Sequence, residues 1–240
     1  MRALRILLIV AVILGGLFVL ADRLAVNFAE GEAADKLRTT ENLAATPDVS
    51  IKGFPFLTQV VSGSLDDVEV GIKDYDADTG DGGKIRIDDL KANMKGVEFS
   101  GDYSSATASS ATGTAHITYP ELLKAAKSEP TDIGFGVTAN VVSLEDGGNG
   151  KIKVGVKMSV LPQTVYVLST VTVDGDTVRV HADTLPSFGG IQAAENEVRS
   201  ITDFEQRIDG LPGGIKLDQV KAGKEGVEIT VKGSNVRLAG

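Results

Sequence analysis

Polar side chains are absent from Ile6 to Ala21, a run of 16 residues bracketed by Arg2 and Arg5 before it and Asp22 and Arg23 after it. Two readings fit. A cleaved signal segment has this basic start and apolar middle but ends at a small-residue junction. Here Val19-Leu20-Ala21 puts Val at the −3 site and Leu just inside it, a poor junction. A membrane-crossing helix needs about 20 apolar residues, with a usable range from about 17. The run falls between the two lengths, and the poor junction favours an uncleaved anchor. Under either reading Arg2 and Arg5 predict a cytoplasmic N-terminus and an exported body. Residues 1–23 are therefore read as anchor or signal segment, and 24–240 as one exported domain.

Past the run, Leu24, Phe28, Gly31, Ala34 and Leu37 recur at helical spacing and predict an amphipathic helix ending near Leu43, before Pro47. From Val49 the period changes to two. Val68, Val70 and Ile72; Ile85 and Ile87; Ile152, Val154 and Val156; Val171 and Val173; Val178 and Val180; and Val227, Ile229 and Val231 read as strands with one buried face. Gly/Asp-rich turns separate them at Thr79–Gly83, Glu145–Gly150 and Asp174-Gly175-Asp176. Two helices interrupt the strands. Thr118 and Glu121 have capping-box spacing and open a short one through about Lys127. Ala194, Val198, Ile201, Phe204 and Ile208 mark a second, closed by Gly210 and Pro212. An internal repeat aligns Ile85, Asp88, Lys91, Ala92, Gly96, Val97 and Glu98 with Ile215, Asp218, Lys221, Ala222, Gly226, Val227 and Glu228. Each copy reads as strand, turn, strand, which suits a sheet grown by duplication.

Composition narrows the function classes. The chain has 240 residues, enough for a sizeable core, and a formal net charge of −9. Three basic side chains but only one acidic one lie before residue 24, so the body is more acidic still. That argues against binding nucleic acid by phosphate neutralisation and against purely electrostatic membrane attachment. With no cysteine there is no disulfide, thiolate metal site, thiol nucleophile or acyl-cysteine lipid anchor. His116 and His181 sit in strand-like stretches without the neighbours that metal or hydrolase motifs require, and read as strand-face residues. Asp74, Asp76, Asp78 and Asp81 resemble half a calcium loop. Thr79 stands where that loop needs Gly and Ile85 where it needs Glu, so a solvated turn is the better reading. No catalytic constellation, metal site or cofactor motif emerges, and the expectation is a non-enzymatic protein.

One segment remains unexplained by these patterns. In Ile51-Lys52-Gly53-Phe54-Pro55-Phe56-Leu57-Thr58-Gln59-Val60-Val61-Ser62-Gly63, Phe54, Phe56, Leu57, Val60 and Val61 are more apolar than an alternating strand requires, and Pro55 points to an edge or kink. A core corner and the wall of an apolar groove both fit. Gly53–Gln59 with Gly63 and the strand Val68–Ile72, together with Ala115–Leu122 and Leu211–Ile215 to Gly226-Val227, resembles the signature of the LmeA-like phospholipid-binding family of actinobacterial envelope proteins. The resemblance covers nearly the whole chain and brings no catalytic residues with it.

What it implies is an α+β fold similar to tubular lipid-binding proteins: a strongly curved antiparallel sheet wrapped around one long amphipathic helix, with an apolar groove between them. It also implies a phospholipid ligand, phosphoinositide type in known relatives, and a link to envelope glycolipids. The groove is expected between the sheet and the helix bearing Val198, Ile201, Phe204 and Ile208, with Phe54, Phe56, Leu57, Val60 and Val61 near its mouth. Lys52, Lys73 and Arg199 are available for a headgroup phosphate. Two rivals stand beside this reading: a solid scaffolding protein with an envelope protein partner, and an undetected hydrolase using His116 or His181 with paired carboxylates.

Overall fold

The computed structural model describes residues 2–78, 84–102, 104–125, 130–133, 136–183, 185, 199, 202–207 and 214–239. Helix α1 (Arg2–Thr40) is uninterrupted over 39 residues, about 58 Å at 1.5 Å per residue. The apolar run thus passes into the amphipathic segment without a break. The helix ends at Asn42, whose φ of 51° lets the Leu43 N–H donate back to Arg38 O at 2.9 Å, a left-handed cap. Its packed face matches the expected stripe at Ala34 and in part at Leu37, but not at Leu24 and Phe28. Asp22, Val26 and Ala34 are buried and Ala25 and Ala29 partly so, whereas Leu24 and Phe28 are exposed. Small side chains bring the helix close to the body, and the bulky ones point away.

The rest is mostly strand, making the protein α+β with strongly curled antiparallel sheets. One six-stranded sheet runs β1 (Asp48–Lys52), β2 (Ser64–Asp78), β3 (Lys84–Phe99), β4 (Ala106–Thr118), β12 (Gly226–Ala239) and β11 (Ile215–Ala222). The other runs β10 (Phe204–Arg207), β9 (Thr177–Ala182), β8 (Val165–Asp174), β7 (Lys151–Met158), β6 (Thr138–Gly148) and β5 (Thr131–Asp132). Every alternating stretch read from the sequence falls in one of these strands. The β8–β9 hairpin turns through Gly175 and Asp176, with Gly175 at φ 62°, as Asp174-Gly175-Asp176 implies. Helix α3 (Tyr119–Ala125) stands where the capping-box spacing places a short helix.

Three expectations change. Phe204 lies in β10, where Phe204–Arg207 pairs with Thr177–Val180, and not in a helix. A ladder to β9 overrides the helical spacing of these residues. Ala194, Val198, Ile201 and Ile208 lie outside the described residues. The repeat is not a repeated hairpin: its second copy turns between β11 and β12, but its first is the single strand β3, which runs on through Gly96. Asp74, Asp76 and Asp78 belong to β2 and not to a loop, with Asp76 paired to Arg86 at 3.3 Å; Asp81 is outside the described residues.

The curl of the first sheet has a local cause. The ladder lapses at one level across four strands, where Asp66, Gly96, Ser109 and Asn235 stand side by side. Gly96 and Asn235 there have φ of 55° and 51°. Inward side chains change parity at this line, so that Leu65, Val97, Ala108 and Val236 share a face with Val68, Met94, Ala111 and Gly233. A row of aligned irregularities bends a sheet without losing register. Two cores result. One joins α1 through Val26 to Phe56, Leu65, Val97, Ala106, Ala108, Ala111 and Val236. The other packs the second sheet (Ile152, Val154, Val156, Val178) on Leu217, Val220, Ala222 and Val227 of the first.

Candidate functional site

The segment from Gly53 to Gly63 is built around a carboxylate supplied by α1. Residues Phe56–Ser62 form helix α2, which begins after Pro55 with no side-chain cap of its own. The first N–H groups of a helix need acceptors. Asp22, fully buried, provides one: its Oδ1 accepts the Leu57 N–H at 2.8 Å, while Oδ2 accepts from Arg23 Nη2 at 2.6 Å. Arg23 also lies over the Phe54 ring, 5.2 Å from its centroid. Gln59 closes the other side, accepting the Asp66 N–H at 2.7 Å and donating to Lys52 O at 3.4 Å. Gly53, at φ 99°, must be glycine, because a Cβ there would come within 2.5 Å of the Gln59 amide and 2.8 Å of the Asp66 carboxylate.

This arrangement divides the five apolar residues that the sequence singles out. Phe56 is buried in the core with Val26, and Leu57 packs partly against it. Phe54, Val60 and Val61 are exposed. The segment is therefore both core corner and surface. Of the expected second wall, Phe204 is in β10, and Val198, Ile201 and Ile208 lie outside the described residues.

The first sheet carries a feature that alternation alone does not reveal. On its apolar face Val70 and Ile72 (β2), Leu90 and Ala92 (β3) and Ala115 (β4) stand in adjacent register, all half-buried. Among the described residues neither core includes them. They form an apolar strip between the core under α1 and the core under the second sheet. At about 3.3 Å per residue and 4.8 Å per strand it is on the order of 10 Å across in each direction. Small residues on β4, Ala111, Gly113 and Ala115, keep it low.

Asp48, Glu69, Lys91, Asn93, Thr112 and Thr114, together with Val70 and Ala92, line an open depression of about 360 Å3. Lys91 there is held by Asp89 at 2.6 Å, which raises its pKa. Lys52 pairs with Glu69 at 3.3 Å. Arg199 donates to Ala182 O at 3.0 Å and lies 3.6 Å from Asp203. His181 has partners the sequence does not reveal: its Nδ1 is 2.7 Å from Asp203 Oδ2 and its Nε2 is 3.4 Å from Arg199. The same Asp203 accepts the Ala182 N–H at 2.8 Å, so Arg199 and Asp203 are fastened to β9 beside the exposed His181 ring.

The model of a family described as LmeA-like phospholipid-binding matches residues 20–232. The chain belongs to that family. The match begins at the last two residues of the apolar run and takes in the Asp22 clamp, the strip and both sheets as far as the middle of β12. No curated protein matches the chain, and no solved structure does. In this LmeA-like protein the strip is half-buried, and Phe54, Val60 and Val61 are exposed on the segment beside α1.

Proposed function

We propose that this LmeA-like protein binds phospholipid without chemical conversion, seating acyl chains on the strip of Val70, Ile72, Leu90, Ala92 and Ala115. The observation that carries the reading is the half-buried state of this apolar face between two packed cores. Each methylene taken from water contributes about 0.8 kcal/mol, so a chain half covered over about ten carbons gains roughly 4 kcal/mol. Ordering the complex costs at least about 4 kcal/mol, so an open strip alone holds a chain weakly and further cover or a second chain is required. Phosphoinositide-type lipid is the ligand class favoured by the resemblance. The apolar helix ahead of the domain favours work at an envelope membrane, with the domain on the extracytoplasmic side.

The test fills the strip without making it polar. Ala92→Phe and Ala115→Phe each place a ring on this half-buried face, and neither residue belongs to either core. Native mass spectrometry of the full chain, extracted in mild detergent and exposed to phosphatidylinositol vesicles, should show bound lipid for the parent and a loss of at least half of it for either variant, with unchanged thermal midpoints. A parent chain that carries no lipid and takes none up refutes the binding reading and leaves a scaffolding protein. Full loading of both variants places the lipid elsewhere.

A further inference from the structure

The apolar run is short for a bilayer. Ile6 to Ala21 rises about 23 Å as a helix, against a hydrocarbon core of about 30 Å. The structure extends it on one side only. Leu24 and Phe28 are 70% and 74% exposed, and they share the helix face of Leu17, away from the domain. Between them and the run stand Asp22 and Arg23, but Asp22 is buried against α2 and Arg23 is bonded to it. The outward face therefore meets no unpaired charge until after Phe28, since Glu30 turns inward to accept the Ile51 N–H at 2.7 Å. Ile6 to Phe28 rises about 33 Å, a full crossing.

If the bilayer reaches Phe28, it also reaches α2. Leu57 is bonded to Asp22 and Phe54 stacks on Arg23, so Gly53–Gly63 is fixed beside the helix within about one turn of Ala21. There it presents Val61 at 86% and Phe54 at 57% exposure. Arg23 meanwhile has an aromatic face and a carboxylate as partners, a suitable setting for a cation at a headgroup boundary.

We propose that α2 and the Phe54 turn are a membrane seat: Phe54, Val61, Leu24 and Phe28 enter the acyl–headgroup boundary of the leaflet on the domain's side. The occupant of this exposed apolar surface is the bilayer itself. The proposal rests on α1 crossing the membrane, as in the proposed function, and places the body of the protein in the leaflet surface and not on a free tether.

The chain has no tryptophan, so one introduced tryptophan reports alone. Val61→Trp, Phe54→Trp, Phe28→Trp and Arg38→Trp are each made in the full chain and reconstituted into phosphatidylcholine vesicles with brominated acyl chains. Arg38 is exposed about 15 Å further along α1, and Arg38→Trp serves as the reference. The Phe28→Trp, Phe54→Trp and Val61→Trp proteins should emit to the blue of the reference and lose most of their intensity to bromines near the carbonyl end. Water-like, unquenched emission from Val61→Trp overturns the seat even if Phe28→Trp is quenched, because that pattern is a longer anchor alone. Recovery of the chain in the soluble fraction with Asp22 at its N-terminus overturns it as well. Lipid carried by the purified chain is scored separately, so failure of the seat is distinguishable from failure of lipid binding.

Discussion

Asp22→Ala isolates the contact on which the α1–α2 junction depends. In the parent, the buried carboxylate accepts the Leu57 N–H at 2.8 Å and pairs with Arg23 at 2.6 Å. Alanine leaves the Leu57 N–H at the start of α2 without that acceptor, beside the buried space that the Asp22 side chain fills. Loss of an N-cap costs about 0.5–2 kcal/mol, and a hydrogen bond to a charged acceptor is worth about 1.5–3 kcal/mol. These describe the same bond and do not add, so the expected loss is about 2–3 kcal/mol. Asn keeps an acceptor oxygen but not the charge, and should recover roughly half. The loss is local, because α2 is only seven residues long and depends on α1 for its cap. Hydrogen exchange read by mass spectrometry on the full chain in micelles is the assay. Peptides over residues 54–63 should exchange about 30-fold faster in Asp22→Ala and about 5-fold faster in Asp22→Asn, with β7 and β8 unchanged, on the rule that 1.4 kcal/mol is tenfold. Unchanged exchange at 54–63 would refute the capping role. Equal acceleration in β7 and β8 would mean that Asp22 supports the whole fold.

Two further outcomes follow from the sheets. Gly96→Ala forces a Cβ onto φ 55° and to 2.7 Å from Ser109 Oγ, so urea unfolding should show about 1–2 kcal/mol of lost stability, of which Ser109→Gly relieves the contact but not the cost of the left-handed backbone. Asp183 is held below the usual carboxylate range first by the Lys151 hydrogen bond and then by Thr170, and Asp102 is lowered to about 2 by Ser100 and Ser104. Depressed carboxylates stabilise the fold above their unfolded value near 4 and lose that contribution as pH falls through the folded value. The thermal midpoint should therefore be level above about pH 5 and fall from about 4 toward 2, with a shallower fall in Asp183→Asn.

Strand positions were legible because Val, Ile and charged residues alternate wherever one face is buried. What alternation could not convey is the parity change at Asp66, Gly96, Ser109 and Asn235, since a shift in one strand looks like noise until four strands are in register. The strip was missed for the same reason: Val70, Ile72, Leu90 and Ala92 look like ordinary core positions, and only the separation of the two cores leaves them half-covered. For α1, helical spacing selected the bulky stripe of Leu24 and Phe28. Of that stripe Ala34 packs, and toward the membrane the packed side turns to Val26 and Ala29 with a buried Asp22, a choice set by close approach and by the needs of α2. The same preference for bulk misplaced Phe204, whose four-residue strand is held by its ladder to β9. In the apolar segment, Asp22 was the missing signal. A lone carboxylate just after a membrane run reads as a boundary, although an uncapped helix start at Pro55 required an acceptor from somewhere else in the chain.

These features bear on one energetic problem. A phospholipid in a bilayer has its chains already out of water, so moving them onto the strip gains little hydrophobic free energy. What opposes loading is the passage between the two, during which each exposed methylene costs about 0.8 kcal/mol. A domain held off the membrane by a tether would leave that barrier in place however good its strip. A domain whose α2 lies in the leaflet shortens the exposed path, because Phe56 joins the same core as Val68 and Met94, the first residues beside the strip. Leu57 and Val68 both pack against that core, and Val70 and Ile72 follow Val68 on the same face of β2. In this arrangement the Asp22 clamp matters for function as well as stability: it ties α2 to α1 and so holds the Phe54 turn at a fixed depth. Variants that loosen α2 should therefore slow lipid uptake from vesicles while leaving the strip, and the lipid already on it, intact.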